Sequence, residues 1–423
     1  MRRIAVISEH ASPLAVAGSV DSGGQNIYVA QIARQLGASG VHVDVFTRKD
    51  NPLQPEVVHW LPNVNVIHVP AGPACYLPKE TLLPHMDAFS AYLMRYVSLS
   101  LHGYDALHAN FFMSAHAALP VAQAHGIPLA VTFHALGKVR RRHQQEADKF
   151  PDSRFDIEDE IVRHADRIIA ECPEDRLDLL QLYSADPRRI DIVPCGYDAA
   201  EMRPMPQAQA RAELGWADDD FRLLQLGRMV PRKGVDNVIL GLARLRQDHG
   251  IAARLCVVGG NSDLPNERAT PEIGRLRRLA EDAGVGPWVQ FEGRRARADL
   301  ARYYCASDVF VTTPWYEPFG ITPVEAMACG RPVVGSDTGG IRTTVVDGRT
   351  GLLVPPKNPE ALAACLAQLA RDPALRHRMG QAGRERARRH YTWRRVARDL
   401  LNVYGRMIAG QPATQPRAAR IAA

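Results

Sequence analysis

A chain of 423 residues exceeds what one compact core ordinarily serves, and it predicts two domains of about 200 residues each. With 46% hydrophobic and 23% charged residues it lies near the globular average, which excludes a fibrous or wholly disordered protein. The net charge of +6 and pI near 9.0 admit nucleic acid, an anionic membrane surface or a phosphorylated ligand, and charge alone does not choose among them.

The N-terminus Met-Arg-Arg-Ile-Ala-Val-Ile-Ser-Glu-His has only four consecutive apolar residues after its basic pair, too few for a signal-peptide core, so it reads as a first strand. No apolar run approaches the roughly 20 residues of a membrane-spanning helix. The seven cysteines are scattered without a Cys-x-x-Cys or Cys/His cluster, which argues against structural zinc and a disulfide framework. A cytoplasmic location is the expectation.

In chain order, short β-rich runs alternate with helix-length segments, the pattern of parallel sheets with crossover helices. The first series comprises Ile4–Ser8, Val41–Thr47, Val64–Val69, Ala106–Ala109, Pro128–His134, Arg167–Ala170 and Ile190–Val193. A second begins at Arg222–Gly227 and continues through Arg254–Gly259, Val289–Glu292, Val309–Thr312, Pro332–Gly335 and Gly351–Val354. The expected fold class is therefore α/β, with two doubly wound Rossmann-like domains. Turn formers and three prolines between Pro194 and Pro206 mark a linker. The domains expected are 1–198 and 199–390, then a C-terminal helix over 391–409 packing back on the first domain, and a tail of 410–423. Ligands bind beyond the carboxyl ends of strands in such sheets, so an active site is expected between the two lobes.

Several stretches fall at those ends. Gly23-Gly24 opens an amphipathic helix, where it is either a plain turn or a close approach to an anion. His134 ends its strand and is either a satisfied structural histidine or a group in the site. Lys138-Val-Arg140-Arg141-Arg142 follows it, either a solvated face or a contact for a phosphorylated acceptor or an anionic lipid. In the second half, Gly227-Arg228-Met-Val-Pro-Arg-Lys233-Gly sets cations after a strand and before a helix, as a diphosphate pocket or a basic loop. Glu317-Pro-Phe319-Gly320-Ile321-Thr322-Pro-Val-Glu325 places two carboxylates eight residues apart around a strand-to-helix turn. They either cap the helix or accept paired hydroxyl hydrogen bonds from a sugar. Neither G-x-G-x-x-G nor a Walker loop is present.

Taken in this order, the motifs resemble the retaining glycosyltransferases of the GT-B fold, specifically the nucleotide-sugar-using family 4, over nearly the whole chain. Glu317 to Glu325 followed by Ala-Met-Ala-Cys-Gly-Arg-Pro-Val-Val and Gly339-Gly340 is the most specific element. The resemblance implies that Arg228 and Lys233 hold the donor diphosphate, that Glu325 binds the ribose, and that Glu317 binds the transferred sugar. It further implies that the N–H groups of Phe319 to Thr322 bind sugar and phosphate, that Gly23 and Gly24 approach the donor, and that His134 lies beside the reacting centre. Transfer would be by front-face attack without a metal or other cofactor.

The N-terminal half is most similar to the sucrose-phosphate synthase group and the inositol-phosphate glycosyltransferases of mycothiol synthesis, through Gly-Gly-Gln-Asn-Ile-Tyr-Val, Asp-Val-Phe-Thr-Arg and Thr-Phe-His-Ala-Leu-Gly-Lys-Val. By that match Asn26, Lys79, Phe111 and Arg154 would face a sugar or cyclitol-phosphate acceptor. Phe111 and Ala135 stand where the mycothiol enzyme offers hydroxyls to the acceptor phosphate. Each hydrogen bond lost there is worth about 1.5 to 3 kcal/mol.

A UDP-sugar such as UDP-glucose is the favoured donor, with GDP- and ADP-sugars open. One alternative is a peripheral enzyme extending a lipid-linked saccharide, docked through Lys138 and Arg140 to Arg142. Another is a nucleotide-sugar epimerase, because a shared fold does not fix a reaction. No nucleic-acid-recognition pattern occurs, so nucleic acid is not an expected partner.

Overall fold

The computed structural model describes residue 1 and residues 3–15, 23–216 and 220–410. The tail expected from residue 410 lies, beyond that residue, outside them. By contacts the chain divides into two compact units. One contains the N-terminal strand, residues 23–194 and residues 393–410; the other contains residues 195–392.

The first unit is built on an eight-stranded sheet. Its strands are β1 (Arg3–Ile7), β2 (His42–Arg48), β3 (Val57–Leu61), β4 (Val64–Val69), β5 (Ala106–Asn110), β6 (Leu129–Thr132), β7 (Arg167–Ala170) and β8 (Ile190–Ile192). They lie in the order β3-β4-β2-β1-β5-β6-β7-β8. Strands covered by helices on both faces are apolar without alternation, and Ile4, Ala5, Val6 and Ile7 are all wholly buried. Only β3 is antiparallel. Sequence reading missed it: it is joined to β4 by a short turn at Pro62-Asn63 with no crossover helix, and as a half-exposed edge strand it lacks a buried apolar run.

The helix Trp393–Ile408 packs on this sheet. Tyr404 Oη meets His108 Nδ1 at 2.6 Å, Arg406 reaches Asp191 at 2.7 Å, and Trp393 packs edge-on to Tyr28. His108 is fully enclosed, and burial, followed by the neighbouring charge of His134, pushes its pKa down to about 3.

The second unit carries β9 (Phe221–Leu226), β10 (Ala253–Val258), β11 (Val289–Gly293), β12 (Val309–Thr312), β13 (Val333–Ser336) and β14 (Gly351–Val354), all parallel. Their order is β11-β10-β9-β12-β13-β14. The chain thus winds outward from β9 and returns on its other side, so the topological switch point lies between β9 and β12; in the first unit it lies between β1 and β5. Both units are the doubly wound α/β sheets expected. Among the described residues no helix is long and apolar enough to cross a membrane.

Candidate functional site

At the β9/β12 switch point three loops are stitched together. The Trp315 N–H donates to Arg232 O at 2.9 Å, Thr313 Oγ1 to Gly234 O at 2.9 Å, and the Gly340 N–H to Glu317 O at 2.9 Å. Gly234 makes this possible. Its φ is +66°, and a Cβ there would lie on the carbonyl oxygen of Thr313.

The stitching brings Lys233 Nζ and the Glu317 carboxylate into an ion pair, with 17% and 15% of each side chain exposed. Burial is the main cause that pushes Lys233 down to about 8; Arg232 and Arg228 add to it, and Glu317 opposes. Burial would raise the Glu317 carboxyl, but Lys233, Arg232 and Arg228 outweigh it and hold it below the usual range. Four charged side chains therefore act on one another at one strand end. Removing a cation there would leave Glu317 with less compensation.

The next helix is Ile321–Ala328, two residues earlier than Pro323, because a proline in the first turn forfeits no intrahelical hydrogen bond. Among the described residues the N–H groups of Ile321 and Thr322 have no backbone partner, so this helix start can receive an anion. Phe319 is 3% exposed and its ring packs on Tyr391, so only its backbone is available to a ligand. Glu325 sits in the second turn, so it does not cap the helix. It is buried, accepting from Arg297 Nη2 at 2.8 Å and Tyr304 Oη at 3.0 Å. Arg297 also reaches Glu201 at 2.9 Å; burial works against its charge, but Glu325 and Glu201 outweigh it. An ionised carboxylate has about four acceptor sites, and these two donors use two of them. Arg297 and Tyr304 were not found in the sequence, where nothing ties them to Glu325.

In the first unit, β6 ends at Thr132 and His134 lies two residues beyond, at φ +58°. Its Nδ1 is 2.9 Å from Glu171 Oε1 and its Nε2 is 3.0 Å from Asn110 Oδ1. Asn110 ends β5 and Glu171 follows β7; polar groups closing apolar strands were the available signal for both. Gly23 is extended, a conformation open to any residue, and its N–H donates to Asn26 Oδ1 at 3.0 Å, while Asn26 Nδ2 donates to Ser12 O at 3.1 Å. The Asn26 amide therefore closes the start of the Gly24–Ala38 helix. Gln25, next to it, reaches Ser8 Oγ and Asn110 O.

Arg154 is 1% exposed. It pairs with Glu158 at 2.7 Å, donates to Ala135 O at 2.5 Å, and lies 4.6 to 5.1 Å from the ring centres of Phe112, Phe150 and Phe111. This arginine is spent on packing within its own unit. Phe111, at φ +86°, edges against His10, and Lys79 keeps 17% of its side chain exposed beside Glu80. Lys138, Arg140 and Arg141 pair with Asp159, Asp148 and Asp152 respectively, so that stretch is largely neutralised where it stands.

Comparison with known proteins identifies the family. The family described as Glycosyltransferase Family 4 matches residues 22–201, and Glycosyl transferases group 1 matches residues 206–386. The D-inositol 3-phosphate glycosyltransferase of Acidothermus cellulolyticus is 37% identical, over 99% of this chain and 94% of its own. That of Nocardiopsis dassonvillei is 36% identical, over 100% and 97%. Among solved structures, sucrose-phosphate synthase from Thermosynechococcus elongatus superposes with a TM-score of 0.88 at 34% identity, covering 97% of this chain and 100% of that one. Anabaena HepE in complex with UDP-glucose shares the fold, with a TM-score of 0.75 at 19% identity over 96% and 100%. The chain belongs to glycosyltransferase family 4 and is a glycosyltransferase of the GT-B fold.

Proposed function

We propose that the enzyme moves a hexosyl group from a nucleoside-diphosphate sugar, with a UDP-sugar favoured, to a hydroxyl of a sugar or cyclitol acceptor, free or phosphorylated, with retention at the anomeric carbon. The observation that carries this reading is the Lys233–Glu317 pair at the β9/β12 switch point, beside the unpartnered N–H groups of Ile321 and Thr322. Arg228, Lys233 and those N–H groups bind the diphosphate. As its charge competes for Lys233, the Glu317 carboxylate is released to accept hydroxyl hydrogen bonds from the sugar. Glu325 binds the ribose, held in place by Arg297 and Tyr304. Gly23 and Gly24 approach the donor, His134 lies beside the reacting centre, and Lys79 and Phe111 contact the acceptor, with Asn26 and Arg154 fixing the structure behind them.

The acceptor oxygen attacks the anomeric carbon on the face from which the phosphate leaves. The carbon–oxygen bond to phosphate breaks as the glycosidic bond forms, and the acceptor proton passes to the departing phosphate. Arg228 and Lys233 stabilise the charge that develops there, which is the largest contribution such a site makes. UDP-glucose, a plain hexose and its phosphate ester, assayed for UDP release and product anomer, test the reading. A UDP-sugar that neither binds nor is consumed with any acceptor refutes it.

A further inference from the structure

A histidine beside a reacting centre is ordinarily read as a base, which needs one bare ring nitrogen. The hydrogen bonds around His134 leave none. Nδ1 faces Glu171 Oε1 at 2.9 Å, and an ionised carboxylate can only accept. Nε2 faces Asn110 Oδ1 at 3.0 Å. The orientation of that amide is fixed by its other end: Asn110 Nδ2 lies 3.4 Å from Ile7 O and 3.3 Å from His108 O, two backbone carbonyls that can only accept. Turning the amide over would set an oxygen against both carbonyls, so Oδ1 must be the atom facing the ring. Both nitrogens of His134 therefore donate.

We propose that His134 is held as a doubly protonated imidazolium, and that Asn110 and Glu171 are positioning residues of the reaction centre that keep it so. The surrounding groups are consistent with one charge pair. His108, on the same strand as Asn110, is neutral, with its nitrogens taken by Thr132 Oγ1 at 2.8 Å and Tyr404 Oη at 2.6 Å. Tyr28 packs across the ring with centres 4.8 Å apart. Asp175, whose Oδ2 accepts the Glu171 N–H at 2.9 Å, is pushed up to about 8 by burial and then by the Glu171 charge.

This arrangement also fixes a backbone. Residue 134 sits at φ +58°, a region non-glycine residues enter only when their surroundings over-determine it, and its ring is gripped from both sides. The imidazolium cannot take the acceptor's proton. In the reading above, on which this inference rests, that proton goes to the leaving phosphate, and His134 supplies position.

The test uses the full chain labelled with 15N-histidine, the His134 signals being identified by their loss in His134→Gln. Both ring nitrogens are expected at protonated shifts at pH about 7 and about 8, where an ordinary histidine has a bare one. A bare nitrogen on His134 at pH about 7 overturns the proposal. Glu171→Gln replaces the carboxylate with an amide that can donate to a bare Nδ1, so the ring surrenders its proton more readily. Its kcat is expected to fall on the order of tenfold to a hundredfold, more at pH about 8 than at about 6, with donor Kd unchanged and partial rescue in Glu171→Asp. A Glu171→Gln pH profile parallel to that of the parent enzyme also overturns it. Should the parent enzyme show no transfer, the transferase reading fails while the nitrogen shifts still decide the protonation state.

Discussion

If Lys233 holds the donor diphosphate, the affinity for that donor must depend on pH in a calculable way. In the free protein Lys233 titrates at about 8 because burial strips its hydration. It is charged below that value and loses its proton as pH rises through it. A bound diphosphate returns the lysine toward its ordinary value of about 10.4. Between those limits each pH unit costs the complex one proton's worth of linkage, so from about pH 7 to about pH 9 the Kd for UDP should rise about tenfold, or about 1.4 kcal/mol. Calorimetric titration with UDP across that range measures it. Lys233→Arg is the control, because a guanidinium stays protonated throughout. A Kd independent of pH, or an identical slope in Lys233→Arg, would show that this ammonium does not meet the diphosphate.

Three further changes test the surroundings. Glu325→Gln keeps the shape but removes the charge that holds Arg297 and is proposed to bind the ribose; a loss of about 1.5 to 3 kcal/mol in UDP affinity is expected, and unchanged affinity would remove the ribose role. Gly340→Ala sets a Cβ on the Phe319 Cα, 2.5 Å from Pro318 O and 2.6 Å from Phe319 O, so about 1 to 3 kcal/mol of stability should be lost together with donor affinity; an unshifted Tm would contradict this. Tyr404→Phe deprives enclosed His108 Nδ1 of its partner, and a urea titration should show about 1 to 3 kcal/mol of destabilisation. An unmoved midpoint would mean that the C-terminal helix is not anchored there.

Much of the candidate site in the second unit was legible because its residues are local to two strand ends. Arg228 and Lys233 follow one strand, Glu317 and Glu325 follow another, and the rule that ligands sit at carboxyl strand ends places both stretches at a site before any coordinates exist. Their adjacency was not legible. It depends on β12 lying beside β9 although about 80 residues separate them, a matter of strand order set by packing across the whole sheet. For the same reason Arg297 and Tyr304, on a different helix, gave no sign that they grip Glu325.

In the first unit, packing was less legible. Asn26 and Arg154 were expected to face a substrate, yet Asn26 closes its own helix and Arg154 is sealed among phenylalanine rings against Glu158. A polar residue's type and position do not reveal which neighbours have already satisfied it, and a buried polar group must be satisfied. His134 shows the same limit most sharply, since the two groups that hold its ring, Asn110 and Glu171, lie 24 and 37 residues away. The sequence by itself determined the two doubly wound sheets, apart from the antiparallel β3, and the residues at their strand ends, because hydrophobic periodicity and turn chemistry act over a few residues. Only the tertiary structure decided which of those residues are spent on one another and which remain for a ligand, because hydrogen-bond satisfaction and burial are settled between segments distant in the chain.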